Sequence, residues 1–457
     1  MIELLKLVGY ETQEIEAELP RVEKAFKKIG ITAEDVALGK QRLKKYYDTE
    51  LQGVRKVFRL CVGELVDSLL LKEDGKKKII YGFMSPGIDI FGSALVSKSK
   101  EIFSIHHCWA FHIVVGCLFG KMVPFLETAE KKWLKAGVVA HCANVKTLLG
   151  PMALNLFPKP DLLVTMGYLC ETSSKTLDLL EELYQVPVHC VDTCQDREIE
   201  DYAEGTTRIT ALGAESLKRL AEKLEEITGV AITDDMLWEV LNAKGRLDAA
   251  LSKVRNLVSQ TDPLLLSSTH ENIWMCLMTL TQDIDGFSKA TDAINTLYEE
   301  LQERAKKGAG VVEKGAPRIL AMLPAGQTDP RLEHLVCEVG LAIVAQDTSL
   351  RVPAEGEPKD PYEVIAGDIL KASLLTTLPR RIPLIIDGCK RLKVDGVLNR
   401  FHAGCRSVAG DAIMIEKAVR DALGIPVLTL EWENFDPRAY DHEQFKQRLE
   451  VFKTMMQ

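Results

Sequence analysis

Three cysteines, Cys142, Cys170 and Cys405, are the residues whose placement could do chemistry. Each follows a short apolar run that reads as a strand. The runs are Val138-Val139-Ala140, Leu162-Leu163-Val164, and Val394 to Leu398. Helix-like segments follow the first two cysteines, Val145 to Leu149 and Thr176 to Tyr184. In open α/β sheets ligands gather beyond the carboxyl ends of the strands, the edge at which all three thiols fall. Thiolates hold iron–sulfur clusters, and a cluster with three protein thiolates keeps one iron open to a substrate. An open position separates a catalytic metal site from a closed structural one. The chain has no CxxC. Spacing alone therefore leaves two readings, metal ligands or buried thiols acting as small hydrophobes.

Other candidates are weaker. His106-His107-Cys108 with His112 offers enough ligands for zinc but no standard zinc spacing, and reads as a structural or pocket-lining segment. His141 and His402 lie beside the proposed ligands, as hydrogen-bond donors to a cluster or as ordinary loop histidines. Cys190 and Cys194 flank a strand end and read as buried thiols. Gly308-Ala309-Gly310 precedes a strand instead of following one, so it is no dinucleotide fingerprint. GxxxxGK[ST] is absent, which argues against a Walker-type ATPase site in this chain.

The elements that must position these residues alternate. Residues 1–75 read as a helical extension. Thr32 is a candidate N-cap, and Val54, Phe58, Cys61, Leu65 and Leu69 recur at helical spacing. From Lys78 strands and helices alternate to about residue 230, the pattern of a parallel sheet covered by helices. The pieces include Ile79 to Phe83 running into Ser85-Pro86-Gly87, Leu162 to Met166, and Val186 to Val191. Residues 231–312 read as a helical connector capped at Thr233, with Lys306 to Gly310 as a linker. A second alternating unit, 313–457, follows. It contains strand Arg318 to Leu323, helix Arg331 to Val339, strand Ala342 to Ala345 and strand Pro383 to Asp387. Strand Val394 to Leu398, helix Asp411 to Leu423 and strand Val427 to Leu430 complete it. The expected fold is α/β: two Rossmann-like doubly wound domains, 76–230 and 313–457, with a helical N-terminal extension and a helical connecting segment.

Composition bounds the function. The 457 residues exceed what one core usually supports. A net charge of −9 gives no support to a nucleic-acid role. The apolar stretch around Phe111 to Phe119 is too short to span a membrane, and no secretory signal opens the chain. The expected location is cytoplasmic, where the eleven cysteines stay reduced.

Five segments resemble the 2-hydroxyacyl-CoA dehydratase and benzoyl-CoA reductase family. They are HCANVKTLLG, PKPDLLVTMGYLCETSSKTLDLLEELYQVPVHCVDT, APRILAM, VDGVLNRFHAGCRSVAGDAIMIEKAVRDALGIPVLTLEWENFDPR and EQFKQRLEVF. The chain departs from the family at Ser85-Pro86-Gly87-Ile88-Asp89, where a Pro-x-Glu element is expected, and in its N-terminal extension. The resemblance implies a [4Fe-4S] cluster held between two Rossmann-like domains by Cys142, Cys170 and Cys405. No cysteine lies between Cys337 and Cys389, so a single cluster is implied.

The resemblance further implies the iron–sulfur catalytic component of a radical acyl-CoA enzyme. A separate ATP-dependent iron–sulfur activator would deliver a low-potential electron for reduction of a CoA thioester to a ketyl radical. A 2-hydroxyacyl-CoA dehydratase comes first and an aryl-CoA reductase of the benzoyl-CoA type second. The rival from another class is a non-catalytic partner subunit or relay. Family members work in pairs, so a homodimer or a heterodimer with a similar subunit is expected.

Overall fold

The computed structural model describes residues 1–83, 87–106, 109–133, 142–167, 170–193, 205–279, 283–323, 327–351, 358, 360–370, 373, 376–402 and 404–456. The apolar run 138–140, His107, Cys108, His141 and Cys194 lie outside the described residues.

Four helices open the chain: α1 (Ile2–Leu7), α2 (Thr12–Lys28), α3 (Ala33–Tyr46) and α4 (Gln52–Leu70). Thr32 caps α3 as its residue type requires. Its Oγ1 accepts from Asp35 N, while the Asp35 carboxylate accepts from Thr32 N at 2.7 Å. Val54, Phe58, Cys61, Leu65 and Leu69 are all buried on α4. Three helices between the sheets, α11 (Asp234–Gln260), α12 (Thr269–Thr279) and α13 (Ile284–Lys306), join this layer. Gly53 lets α4 and α13 touch, since a Cβ there would lie 2.5 Å from the Leu297 backbone.

The first sheet arises from β1 (Lys78–Phe83), α5 (Ile88–Lys98), β2 (Ile102–His106), α6 (Trp109–Phe111) and a π-helix over His112–Leu118. It continues through α7 (Val123–Lys132), α8 (Asn144–Ala153), β3 (Leu162–Met166), α9 (Glu171–Tyr184), β4 (Val188–Val191) and α10 (Gly205–Thr228). The second is built from β5 (Arg318–Met322), α14 (Arg331–Glu338), β6 (Ala342–Gln346), α15 (Pro361–Leu370), α16 (Leu378–Leu392) and β7 (Gly396–Phe401). It ends with α17 (Arg406–Ala409), α18 (Ala412–Leu423), β8 (Val427–Glu431) and α19 (His442–Thr454).

Both sheets are four-stranded and parallel, ordered β2-β1-β3-β4 and β6-β5-β7-β8. An aspartate locks the same corner in each. Asp161, just before β3, accepts from Ile79 N at 2.8 Å and donates its own N–H to Ile79 O. Asp395, just before β7, does the same with Arg318 N at 2.8 Å and Arg318 O. The chain is thus a mixed α/β protein built on two parallel sheets with many helices.

Two expectations are corrected. Pro383 to Asp387 is not a strand but lies inside α16. Arg381, Ile385, Gly388, Cys389 and Leu392 are buried there, a stripe at helical spacing that the short apolar run concealed. Cys190 is exposed, on β4 at the edge of its sheet. Among the described residues no helix is long and apolar enough to cross a membrane; the run from Phe111 to Phe119 is buried inside the protein.

Candidate metal centre

The strand order turns back between β1 and β3 and again between β5 and β7, so a crevice opens at each carboxyl edge. Cys170 follows β3 and is the N-cap of α9. Cys405 follows β7 and is the N-cap of α17. Cys142 comes just before α8, whose N-cap is Ala143. All three are partly buried. Burial pushes the Cys142 thiol well above its ordinary range. The charges of Glu433, Cys170 and Cys405 add to the rise, and the Asn144 N–H, donated to the sulfur, opposes it. Residues from the two sheets therefore meet at Cys142.

A carboxylate and an imidazole complete this meeting point. The ligand atoms of Cys142, His402 and Glu433 lie within 4.8 Å of one another, and among the described residues this is the set able to hold a metal ion. His402 follows directly on β7 and Glu433 lies just past β8. Glu433 Oε1 accepts from Phe435 N at 3.0 Å and Oε2 from Ala143 N at 3.4 Å. Burial pushes its carboxyl up to about 7, against the pull of those backbone N–H groups. His402 Nε2 is 3.1 Å from Glu433 Oε2, an ion-pair distance, but makes no hydrogen bond. Burial holds the His402 ring below its ordinary pKa.

His112 supports this centre from behind. Its Nε2 pairs with Thr147 Oγ1 on α8 at 2.8 Å, and its ring packs edge-on to Trp109 and against Phe435. Burial alone pushes its pKa down to about 3, so it stays neutral. It belongs to no metal-holding set among the described residues. The reading of the His106–His112 segment as structural agrees with the His112 contacts.

The remaining described cysteines sit elsewhere. Cys276 packs against Cys61 in the helical layer, with sulfurs 3.7 Å apart. Burial pushes the Cys117, Cys337 and Cys389 thiols up to about 12.

Two residues escaped the sequence reading. Glu433 is one; its only signal was a carboxylate just past a strand end. Arg400 is the other, a charged residue buried inside β7. It donates to Glu333 Oε1 at 2.6 Å and to Met322 O at 3.0 Å, and both Arg400 and Glu333 are fully enclosed. A parallel pair, Arg381 with Asp347 at 2.8 Å, reaches Asp411 at 3.3 Å. The two pairs bracket the loop that carries His402 and Cys405.

Fold and site together define an α/β protein with a sulfur, nitrogen and oxygen donor set at the carboxyl edge of paired parallel sheets. The chain belongs to the family described as 2-hydroxyglutaryl-CoA dehydratase, D-component, which matches residues 105–456. It is 22% identical to a benzoyl-CoA reductase subunit of Thauera aromatica over 69% of this chain and 76% of that one. It is 21% identical to the (R)-2-hydroxyisocaproyl-CoA dehydratase alpha subunit of Clostridioides difficile over 80% and 89%. Against the alpha subunit of (R)-2-hydroxyglutaryl-CoA dehydratase of Acidaminococcus fermentans identity is 20%, over 66% and 61%. The chain is thus an enzyme component of the dehydratase or reductase type.

Proposed function

We propose that this chain is the iron–sulfur catalytic component of an acyl-CoA enzyme, a 2-hydroxyacyl-CoA dehydratase first and an aryl-CoA reductase second. Its sheets would be the cores of two Rossmann-like domains, 76–230 and 313–457, with 1–75 as helical extension and 231–312 as connector. Cys142, Cys170 and Cys405 would hold a [4Fe-4S] cluster in the crevice between them. What supports this reading is the family match together with the donor group at Cys142, whose ligand atom lies within 4.8 Å of those of His402 and Glu433, with Cys170 and Cys405 near enough to act on its thiol as charges.

The donor set fits such a group. Thiolates are its ordinary ligands, and an N–H donated to a cluster sulfur ligand tunes its potential, as Asn144 would do at Cys142. The ring nitrogen of His402 makes no hydrogen bond and faces the Glu433 carboxylate at 3.1 Å, which supports a polar face beside Cys142. When bound, the cluster supplies a low-potential one-electron couple and one iron able to meet a thioester carbonyl.

The protein's own share is positioning and proton handling. His402 and Glu433 stand beside Cys142, within reach of whatever occupies the open position, and could hold or hand over a proton there. The Ala143 and Phe435 N–H groups fix the Glu433 carboxylate. Trp109, His112 and Phe435 wall the site with rings that keep water out.

An ATP-dependent iron–sulfur activator and a second, similar subunit are the partners this reading requires. The test is turnover. The purified protein, with a reduced activator, is offered 2-hydroxyacyl-CoA and aryl-CoA thioesters. Elimination of water supports the dehydratase and ring reduction the reductase; no turnover of either supports a non-catalytic partner subunit.

A further inference from the structure

The register of the second sheet sets His402 and Glu433 side by side. Phe401 and Glu431 are paired at the ends of β7 and β8, and Trp432 N donates to Phe401 O at 2.8 Å. His402 and Glu433 come next on the two chains, just past the carboxyl edge of the sheet. Cys142 arrives from the other unit, shortly before α8. The residue after it is tied to the same carboxylate, since Ala143 N donates to Glu433 Oε2 at 3.4 Å while Phe435 N holds Oε1 at 3.0 Å.

Spacing separates two ways of holding metal here. The ligands of one zinc-like ion lie ~2.0–2.3 Å from it and so stand roughly 3–4 Å apart. Terminal ligands of a cubane cluster each hold a different iron and stand farther apart. His402 Nε2 and Glu433 Oε2 are 3.1 Å apart, and with Cys142 Sγ the three ligand atoms lie within 4.8 Å of one another. These separations fit a single shared ion. His402 is 9% exposed and its Nε2 makes no hydrogen bond, so the ring can turn that nitrogen to a metal without giving one up.

Donor chemistry selects the ion. A thiolate, an imidazole and a carboxylate suit zinc, iron(II) or cobalt(II), whereas magnesium and calcium take oxygen ligands. The two anionic donors balance a divalent charge, which counts beside the packed rings of Trp109, His112 and Phe435. Three protein ligands leave a fourth place for water or a small ligand.

We infer that Cys142, His402 and Glu433 bind one divalent ion of the zinc class whenever Cys142 is not committed to a cluster. The ion joins the two units, and because it takes Cys142, it and the cluster exclude one another. The site stands on these three side chains alone; only the exclusion rests on the cluster reading above.

X-ray absorption at the zinc edge tests the inference without any variant, on the full, iron-free chain loaded with zinc. About one sulfur and two or three nitrogen or oxygen neighbours are expected. Two or more sulfurs would put the ion on the cysteines and overturn the inference. Cobalt(II) is the second probe, read by its sulfur-to-cobalt charge-transfer band. Cys170→Ser and Cys405→Ser should keep the band, and Cys142→Ser should lose it. His402→Ala and Glu433→Gln should each bind cobalt at least about tenfold more weakly, ~1.4 kcal/mol. No binding by the parent chain, a band that survives Cys142→Ser, or unchanged affinity in both His402→Ala and Glu433→Gln overturns the inference. The zinc-loaded chain should also take up less iron on reconstitution, and removing the zinc with a chelator should restore it. Full iron uptake with zinc retained overturns the exclusion. One zinc with the expected neighbours, but no chromophore in the zinc-free chain, sinks the cluster reading alone.

Discussion

Cys170 and Cys405 occupy the same station in the two sheets. Each follows the third strand of its sheet, at the point where strand order reverses, and each is the N-cap of the next helix. Their backbones agree, with φ −121° and ψ 99° at Cys170 against φ −111° and ψ 107° at Cys405. The aspartates that lock the strands before them, Asp161 and Asp395, make the same pair of hydrogen bonds. Two copies of one structural device thus present a thiol each; in the proposed cluster Cys142 would supply the third.

The position of Cys142 depends on how α8 docks on α7. Gly150 allows that contact, since a Cβ there would lie 2.1 Å from Phe125 O, a backbone atom that cannot swing aside. Gly150→Ala should cost about 1–3 kcal/mol or more in denaturant unfolding and lower iron uptake by displacing Cys142. Gly245→Ala is the control. It lies within α11 with nothing in the way of a Cβ and should stabilise by ~0.5–1 kcal/mol.

The buried pair Arg400–Glu333 offers a second test. Both side chains are fully enclosed at 2.6 Å, so removing one leaves a charge with no solvent to turn to. Arg400→Met should cost ~3–5 kcal/mol, while Arg400→Met with Glu333→Leu should recover most of it. Equal losses in the single and double variants would mean that packing, and not charge, decides stability there.

These charged groups also mark the limit of what was legible. The two alternating units, the helical extension, the caps at Thr32 and Thr233 and the placement of Cys170 and Cys405 after strands all follow from local pattern, which side-chain type largely determines. Pro383 to Asp387 failed because a five-residue stretch has too few turns to reveal a period, and the rest of the α16 stripe uses Arg381, Gly388 and Cys389. Glu433 and Arg400 failed because their roles depend on partners far along the chain: Cys142 and His402 for one, Glu333 for the other. The repeated aspartates before β3 and β7 were visible as letters, but only the pairing with Ile79 and Arg318 gives them meaning.

Acid should weaken the protein through His112. Burial sets its folded pKa near 3, below its ordinary 6.5. The unfolded chain therefore binds the proton first, and stability falls as pH drops from 6.5 toward 3. The slope approaches about 1.4 kcal/mol per pH unit for this one group. In His112→Gln that contribution vanishes. The variant starts less stable at pH 7.5, and the gap should narrow on acidification to pH 5. Parallel curves would show that His112 is not buried neutral.

Iron–sulfur reconstitution tests the central claim most directly. Under anaerobic conditions the parent chain should take up about four irons with matching sulfide and gain a brown absorption that dithionite bleaches. Cys142→Ser, Cys170→Ser and Cys405→Ser should each lose most of it, and Cys276→Ser, in the helical layer, should keep it. Full iron content in Cys170→Ser or Cys405→Ser, or no chromophore in the parent chain, would contradict the account.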